Sequence, residues 1–233
     1  MADSSHDVVF LVDVDNTLLD NDRVIADLRE HLAHAFGAEC AALYWTRFEQ
    51  LRAQLGYADY LGALQLYRQD VEHRGPAAHA LLEMSGFLVD YPFRERVFPG
   101  AFEALANLAR RGPTVILSDG DVVFQPRKIR RSGLWDAVEG RVLIYVHKEA
   151  MLDEVRRLFP ARHYAIVDDK PRILGALKAA WGAGVTTVFP RQGHYALDAA
   201  EVAKYPPPDV AVDRIGELAR TNLAAWIPSR SES

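Results

Sequence analysis

Short apolar runs separated by helical patterns constrain this chain more than any other feature. Five are clear, at residues 8–12, 114–117, 142–146, 164–167 and 185–189, and a weaker sixth at 209–212 follows Pro206, Pro207 and Pro208. Runs of four or five branched and aromatic residues suit strands buried on both faces, and strands alternating with helices build a parallel α/β sheet. The intervening segments keep the helical period. Phe102, Leu105, Ala106, Leu108 and Ala109 form a stripe after Pro99-Gly100, and Arg110-Arg111-Gly112 ends it with basic residues and a glycine stop. Residues 150–158 and 172–181 repeat the pattern, the second opened by Pro171 and closed by Gly182.

Residues 21–96 interrupt the alternation. Leu28, Leu32, Ala35 and Phe36 make one helical face and Leu43, Phe48, Leu51 and Leu55 another, and Tyr60, Leu64, Tyr67 and Val71 and then residues 77–88 continue the period. The expected organisation is therefore a core of residues 1–20 and 97–233 with an all-helical insertion at 21–96. Helices inserted at the ligand edge of an α/β sheet commonly act as lids.

With 49% hydrophobic and 25% charged residues, the chain has the composition of an ordinary globular protein. A net charge of -5 argues against a nucleic-acid partner, which leaves a basic footprint. Cys40 is the single cysteine, so neither an internal disulfide nor a thiolate metal cluster is available. No apolar run reaches the roughly 18 residues of a membrane span, and Met1 to Asp7 lack the features of a signal peptide. A cytoplasmic monomer or homodimer is expected, with no membrane partner, and the polar tail at 229–233 is expected to be mobile.

Four of the apolar runs end in conspicuous polar groups: Asp13 and Asp15, then Ser118-Asp119, His147-Lys148 and Asp168-Asp169. On an extended chain residues two apart share a face, so Asp13 and Asp15 can address one bound atom. Two close carboxylates repel unless a cation lies between them or one keeps its proton. Ligands bind outside the carboxyl ends of strands in open α/β sheets, so the four sets should converge on one crevice. An acid pair, a hydroxyl, a cation and a second acid pair together make a catalytic inventory.

The motifs Asp13-Val14-Asp15-Asn16-Thr17-Leu18, Leu117-Ser118-Asp119, Lys148 and Val167-Asp168-Asp169 resemble, in order, the four motifs of the haloacid dehalogenase superfamily. The likeness is to its phosphatase branch with a helical C1-type cap. It implies a Rossmann-like parallel sheet core with an inserted all-helical cap domain, and a Mg²⁺-dependent phosphatase of a small phosphorylated metabolite. By that resemblance Asp13 is the nucleophile that forms an aspartyl-phosphate. Asp15 is the acid/base, its proton held by the neighbouring anions Asp13, Asp168 and Asp169. Asp13, the Asp15 backbone carbonyl and Asp169 would hold Mg²⁺, with Asp168 in support.

The resemblance also gives Ser118 a hydrogen bond to a phosphoryl oxygen, helped by the N–H groups of Asp119 and Gly120. Lys148 would neutralise charge on the nucleophile and the phosphoryl group, and Thr17 would brace the first loop through local backbone. Glu149 stands where proline often follows the motif lysine, Lys128 and Lys170 compete for that lysine's role, and Lys170-Pro171 replaces the serine often found after the acidic pair. A sugar-phosphate mutase shares all four motifs, and a non-catalytic binding protein could keep the fold. A dehalogenase fits less well, because that branch lacks the second carboxylate. His31, His34, His73 and His79 read as packing or surface residues, and Arg47, Arg52, Arg68 and Arg74 as solvated. Arg191 and His194 read as loop residues, and the aromatic stripe Tyr44, Trp45, Phe48, Tyr57, Tyr60 and Tyr67 as interior of the insertion.

Overall fold

The computed structural model describes residues 5–71 and 77–226, residues 77–80 by their backbone alone. The expectations for His73, Arg74, the His79 side chain and the tail at 229–233 lie outside the described residues.

Six parallel strands form one sheet: β1 (His6–Val12), β2 (Thr114–Asp119), β3 (Val142–Tyr145), β4 (Ala161–Val167), β5 (Val185–Pro190) and β6 (Val210–Val212). They lie in the order β3-β2-β1-β4-β5-β6. The chain steps outward from β1 to β3, then returns to the far side of β1 for β4. That reversal opens a crevice beyond the strand ends between β1 and β4. Val12 lies opposite both Ile116 and Val167, so the residues after β1, β2 and β4 emerge side by side. β4 begins three residues before its apolar run because Ala161 already pairs with His6. Val146 falls outside β3 and is exposed.

Along β1, Val8, Phe10 and Val12 enter one buried cluster while Val9 and Leu11 enter the other. Burial on both faces explains why this strand is apolar throughout rather than alternating. The second cluster is closed by α8 (Leu152–Leu158) and α9 (Pro171–Trp181), and the first by α5 (Ala101–Ala109), α6 (Phe124–Ser132) and α7 (Leu134–Ala137). α8 starts later than its apolar stripe suggests, because Lys148–Ala150 form a separate 3₁₀ turn.

Between β1 and α5 stand four helices: α1 (Asn21–Phe36), α2 (Ala38–Leu55), α3 (Tyr60–Val71) and α4 (Ala77–Asp90). The Asp20 carboxylate caps α1 by accepting the Arg23 N–H at 2.9 Å. Val24, Leu28 and Leu32 bury its inner face, whereas Ala35, expected on that face, is exposed. The apolar interior of these helices runs into the first cluster of the sheet. An aromatic series marks the junction, with ring centroids 4.8 Å apart for Phe48 and Tyr60, 5.3 Å for Tyr60 and Phe124, and 5.8 Å for Phe124 and Phe93.

Asp27 on α1 accepts hydrogen bonds from Tyr91 and Arg96, tying the segment that leaves the insertion to the helix that enters it. Burial works to raise the Asp27 carboxyl, but these donors and Arg23 hold it below the ordinary range. Among the described residues no helix is long and apolar enough to cross a membrane.

Candidate active site

The floor of the crevice is a buried cluster of charge. Asp13 is 2% exposed, and Lys148, Asp168 and Asp169 are 0% exposed. The Lys148 ammonium lies 2.5 Å from Asp13 Oδ1 and 2.6 Å from Asp168 Oδ2. Asp13, Asp168 and Asp169 each offer one oxygen, and these oxygens lie within 4.8 Å of one another. Three carboxylates against Lys148 and the nearby Lys170 leave the cluster short of positive charge. Burial pushes the Asp168 carboxyl up to about 6 against the pull of Lys148, with Asp13 adding to the rise. Burial, with Asp168 and Asp13 alongside, pushes Asp169 well above its ordinary range. Burial alone would lower Lys148, but Asp13, Asp168 and Asp119 hold it above its usual value.

Asp168 Oδ1 accepts the Lys170 N–H at 2.9 Å, while its Oδ2, 2.6 Å from the Lys148 ammonium, makes no hydrogen bond. Asp13 Oδ2 and both Asp169 carboxylate oxygens are buried without a hydrogen-bond partner. Leaving such groups bare is costly, and the cost of a buried charge exceeds that of a neutral group. A hard divalent cation fits this donor set, which is all oxygen and carries unbalanced negative charge. The residues suited to hold Mg²⁺ are thus Asp13, Asp168 and Asp169, of which Asp13 and Asp168 also pair with Lys148.

Asp15 departs from the expectation drawn from its spacing. After Val12 the chain turns, with the N–H groups of Leu18 and Leu19 both 2.9 Å from the Val14 carbonyl and Asn16 at φ 60°. The extended geometry that would align Asp13 with Asp15 ends there, and the Asp15 side chain lies outside the carboxylate cluster. The anions expected around it are replaced by Lys128, whose Nζ lies 2.7 Å and 3.0 Å from the two Asp15 carboxylate oxygens. Lys128 therefore does not stand in for Lys148; each lysine serves a different aspartate.

The remaining predicted residues have partners within the protein. Thr17 is fully buried, and its hydroxyl accepts the Asp169 N–H at 3.0 Å, so it joins two motifs and does not face a ligand. Ser118 is 1% exposed and accepts from Gln125 Nε2 at 2.9 Å. The Asp119 carboxylate accepts the Lys148 N–H at 2.8 Å, which secures the turn carrying that lysine. The Gly120 N–H is spent on the Tyr145 carbonyl at 2.9 Å, so it is not free for a phosphate.

Above the floor is a cleft of about 600 Å³ whose lining combines Asp15 and Lys128 with Trp45, Tyr57, Arg29 and Arg52 of the insertion. The Arg29 guanidinium stacks 4.0 Å over the Trp45 ring. The Arg52 side chain reaches the Tyr195 hydroxyl at 3.4 Å, and His194 meets Asp22 at 2.6 Å. Arg52 and His194 thus line the cleft while remaining about half exposed to solvent, at 48% and 56%. The aromatic stripe divides: Tyr44, Phe48, Tyr60 and Tyr67 are buried, whereas Trp45 and Tyr57 are only partly so.

The motifs alone do not reveal Gln125, and they assign Lys128 the wrong partner. The signal for both lies in α6, whose buried face is Phe124, Gln125, Lys128, Ile129 and Ser132. Polar residues on the face that helical spacing turns inward need a partner, and here the partners come from other motifs.

Known proteins share this architecture. A protein from Burkholderia xenovorans described as a haloacid dehalogenase-like hydrolase is 65% identical, with a TM-score of 0.86, covering 93% of this chain and 99% of its own. An L-2-haloacid dehalogenase from Xanthobacter autotrophicus, with chloropropionic acid covalently bound, has a TM-score of 0.60 at 20% identity, covering 96% of this chain and 100% of its own. The hydrolase YfnB from Bacillus subtilis, bound to magnesium, has a TM-score of 0.59 at 17% identity, covering 92% and 97%. The last two share the fold. No curated protein matches the sequence. The family model for haloacid dehalogenase-like hydrolases matches residues 8–180, and the chain therefore belongs to that family of hydrolases.

Proposed function

We propose that this hydrolase is a Mg²⁺-dependent phosphatase of a small phosphorylated metabolite, acting through an aspartyl-phosphate on Asp13 beneath a cap formed by residues 21–96. The observation that carries the reading is the division of labour between two carboxylates. Asp13 lies on the buried floor beside Lys148, and Asp15 lines the cleft above it. Asp13 attacks phosphorus while Lys148 offsets the charge gathering on both partners. Asp15 gives a proton to the departing alcohol and later takes one from the attacking water, a role worth about 10²–10⁴-fold in rate. Asp13, Asp168 and Asp169 would hold the Mg²⁺, which when bound would shield the charge of the phosphoryl oxygens. Ser118, oriented by Gln125, supplies a hydroxyl at the edge of the same floor.

Displacement of halide is the activity named for the Xanthobacter relative. A halide ion leaves without a proton, so Asp15 would have no task as an acid in that reaction, whereas an alkoxide leaving a phosphate ester needs one. The test is a panel of phosphate monoesters, with and without Mg²⁺, alongside 2-chloropropionate. Metal-dependent phosphate release, lost by at least about 10³-fold in Asp13→Asn, is expected. Chloride release in place of phosphate, or turnover persisting in Asp13→Asn, would overturn the reading. Product analysis with a sugar phosphate separates a mutase, which returns an isomer rather than inorganic phosphate.

A further inference from the structure

Lys128 is a buried cation that the four motifs leave without a task. It is 1% exposed on α6, and its Nζ lies 2.7 Å and 3.0 Å from the Asp15 oxygens and 3.1 Å from Asn21 Oδ1. One helical turn earlier on the same face, Gln125 Nε2 lies 2.9 Å from Ser118 Oγ and 3.4 Å from Asp15 Oδ2. The residue next to Gln125, Phe124, packs against Tyr60 of α3. A single helix thus reaches the hydroxyl motif, the second carboxylate and the insertion together.

We propose that Lys128 is a positioning residue for the water step, fixing Asp15 as the base that completes turnover. The proposal rests on the phosphatase reading. A carboxylate held at both oxygens has one orientation, which suits proton capture from a water that must itself be in line. In that step a water oxygen bonds to phosphorus, the bond from phosphorus to the Asp13 oxygen breaks, and the proton passes to Asp15. Asp13 recovers its carboxylate and inorganic phosphate leaves. Formation of the aspartyl-phosphate from an ester with a good leaving group needs no proton donor, so Lys128 should matter little to it.

The experiment compares wild type with Lys128→Met using 2,4-dinitrophenyl phosphate, with pre-steady-state detection of the phenolate. The variant should show a burst of about one equivalent per enzyme. Its kcat should fall by about 10–100-fold, KM should fall with it, and kcat/KM should stay within about threefold. Lys128→Arg should recover most of kcat. A loss in kcat/KM equal to that in kcat, with no burst, would assign Lys128 a merely structural role and overturn the proposal. If Lys128→Met fails to fold, Asn21→Ala removes the other partner and should give a weaker burst of the same kind, its absence counting against the idea. If wild type hydrolyses no ester, the phosphatase reading fails by itself. The pairing is then decided by the ¹⁵Nζ resonance of Lys128, which should move in Asp15→Asn; an unmoved resonance would remove the pair as well.

Discussion

Asp13, Lys148, Asp168 and Asp169 are 2% exposed or less, whereas Trp45, Tyr57, Arg29 and Arg52, which line the cleft with Asp15, stand partly or fully open to solvent. In the first group Asp13, Asp168 and Asp169 follow β1 and β4, which the sheet flanks on both sides, and Lys148 sits on the turn after the edge strand β3. Its members also share partners: Lys148 serves Asp13 and Asp168, Thr17 holds the Asp169 backbone, and Asp119 holds the Lys148 backbone. The second group projects from the insertion and meets its neighbours one contact at a time. Changes in the floor should be strongly coupled and those in the wall coupled only within touching pairs such as Arg29 and Trp45, since residues in one network are not additive.

The largest effect belongs to the link between floor and wall. Asp15→Asn should keep the fold and lose about 10²–10⁴-fold in kcat on alkyl phosphates, and an unchanged rate would remove the acid/base assignment. Asp169→Asn should come next. Calorimetric titration with Mg²⁺ alone should show affinity weaker by at least about 10–100-fold, whereas Asp168→Asn should disturb Lys148 more than the metal. Equal losses of Mg²⁺ affinity in the two variants would erase the division between these neighbours.

A smaller effect concerns pH. Asp168 rises from 3.8 to about 6 in the fold, and Asp169 is also raised, so the folded protein binds protons that the unfolded chain has released. Metal-free stability should therefore decline as pH climbs from about 4 through 6. Lys148 is charged in both states over that window and adds no slope. Thermal melts should give a Tm lower at pH 7 than at pH 5 by a few degrees, at about 2–4 °C per kcal/mol for a chain of this size. Asp169→Asn should flatten the slope, and a wild-type Tm that is higher at pH 7 would contradict it. The smallest change is in the wall: Trp45→Ala, which removes the ring under Arg29, should raise KM by about 2–5-fold with little change in kcat. A fall in kcat of the floor's magnitude would break the contrast between the two regions.

The strands were legible because burial on both faces writes each as an unbroken apolar run, and the floor was legible because its residues come directly after those runs. Residues beyond a turn were harder to place. The Asp15 side chain could not be aimed from spacing, since the chain leaves the extended form at Asp13 and the residue after Asp15 takes a left-handed conformation. Lys128 and Gln125 were hidden for another reason: the Asp15 carboxylate they both approach lies 113 and 110 residues away in sequence. Helical period marked the aromatic residues of the insertion as inward, but it does not distinguish an interior from a cleft, and so it grouped Trp45 and Tyr57 with Tyr44 and Phe48.

Gly56 ends α2 at φ 81°, and a Cβ built there would come within 2.7 Å of the His147 ring. His147 directly precedes Lys148, so the tip of the insertion rests beside the peptide that carries the floor's cation. Any other residue at this position would strain a left-handed backbone and oblige the exposed His147 ring to swing aside. The join between insertion and rim thus hangs on the one amino acid that has no side chain to accommodate.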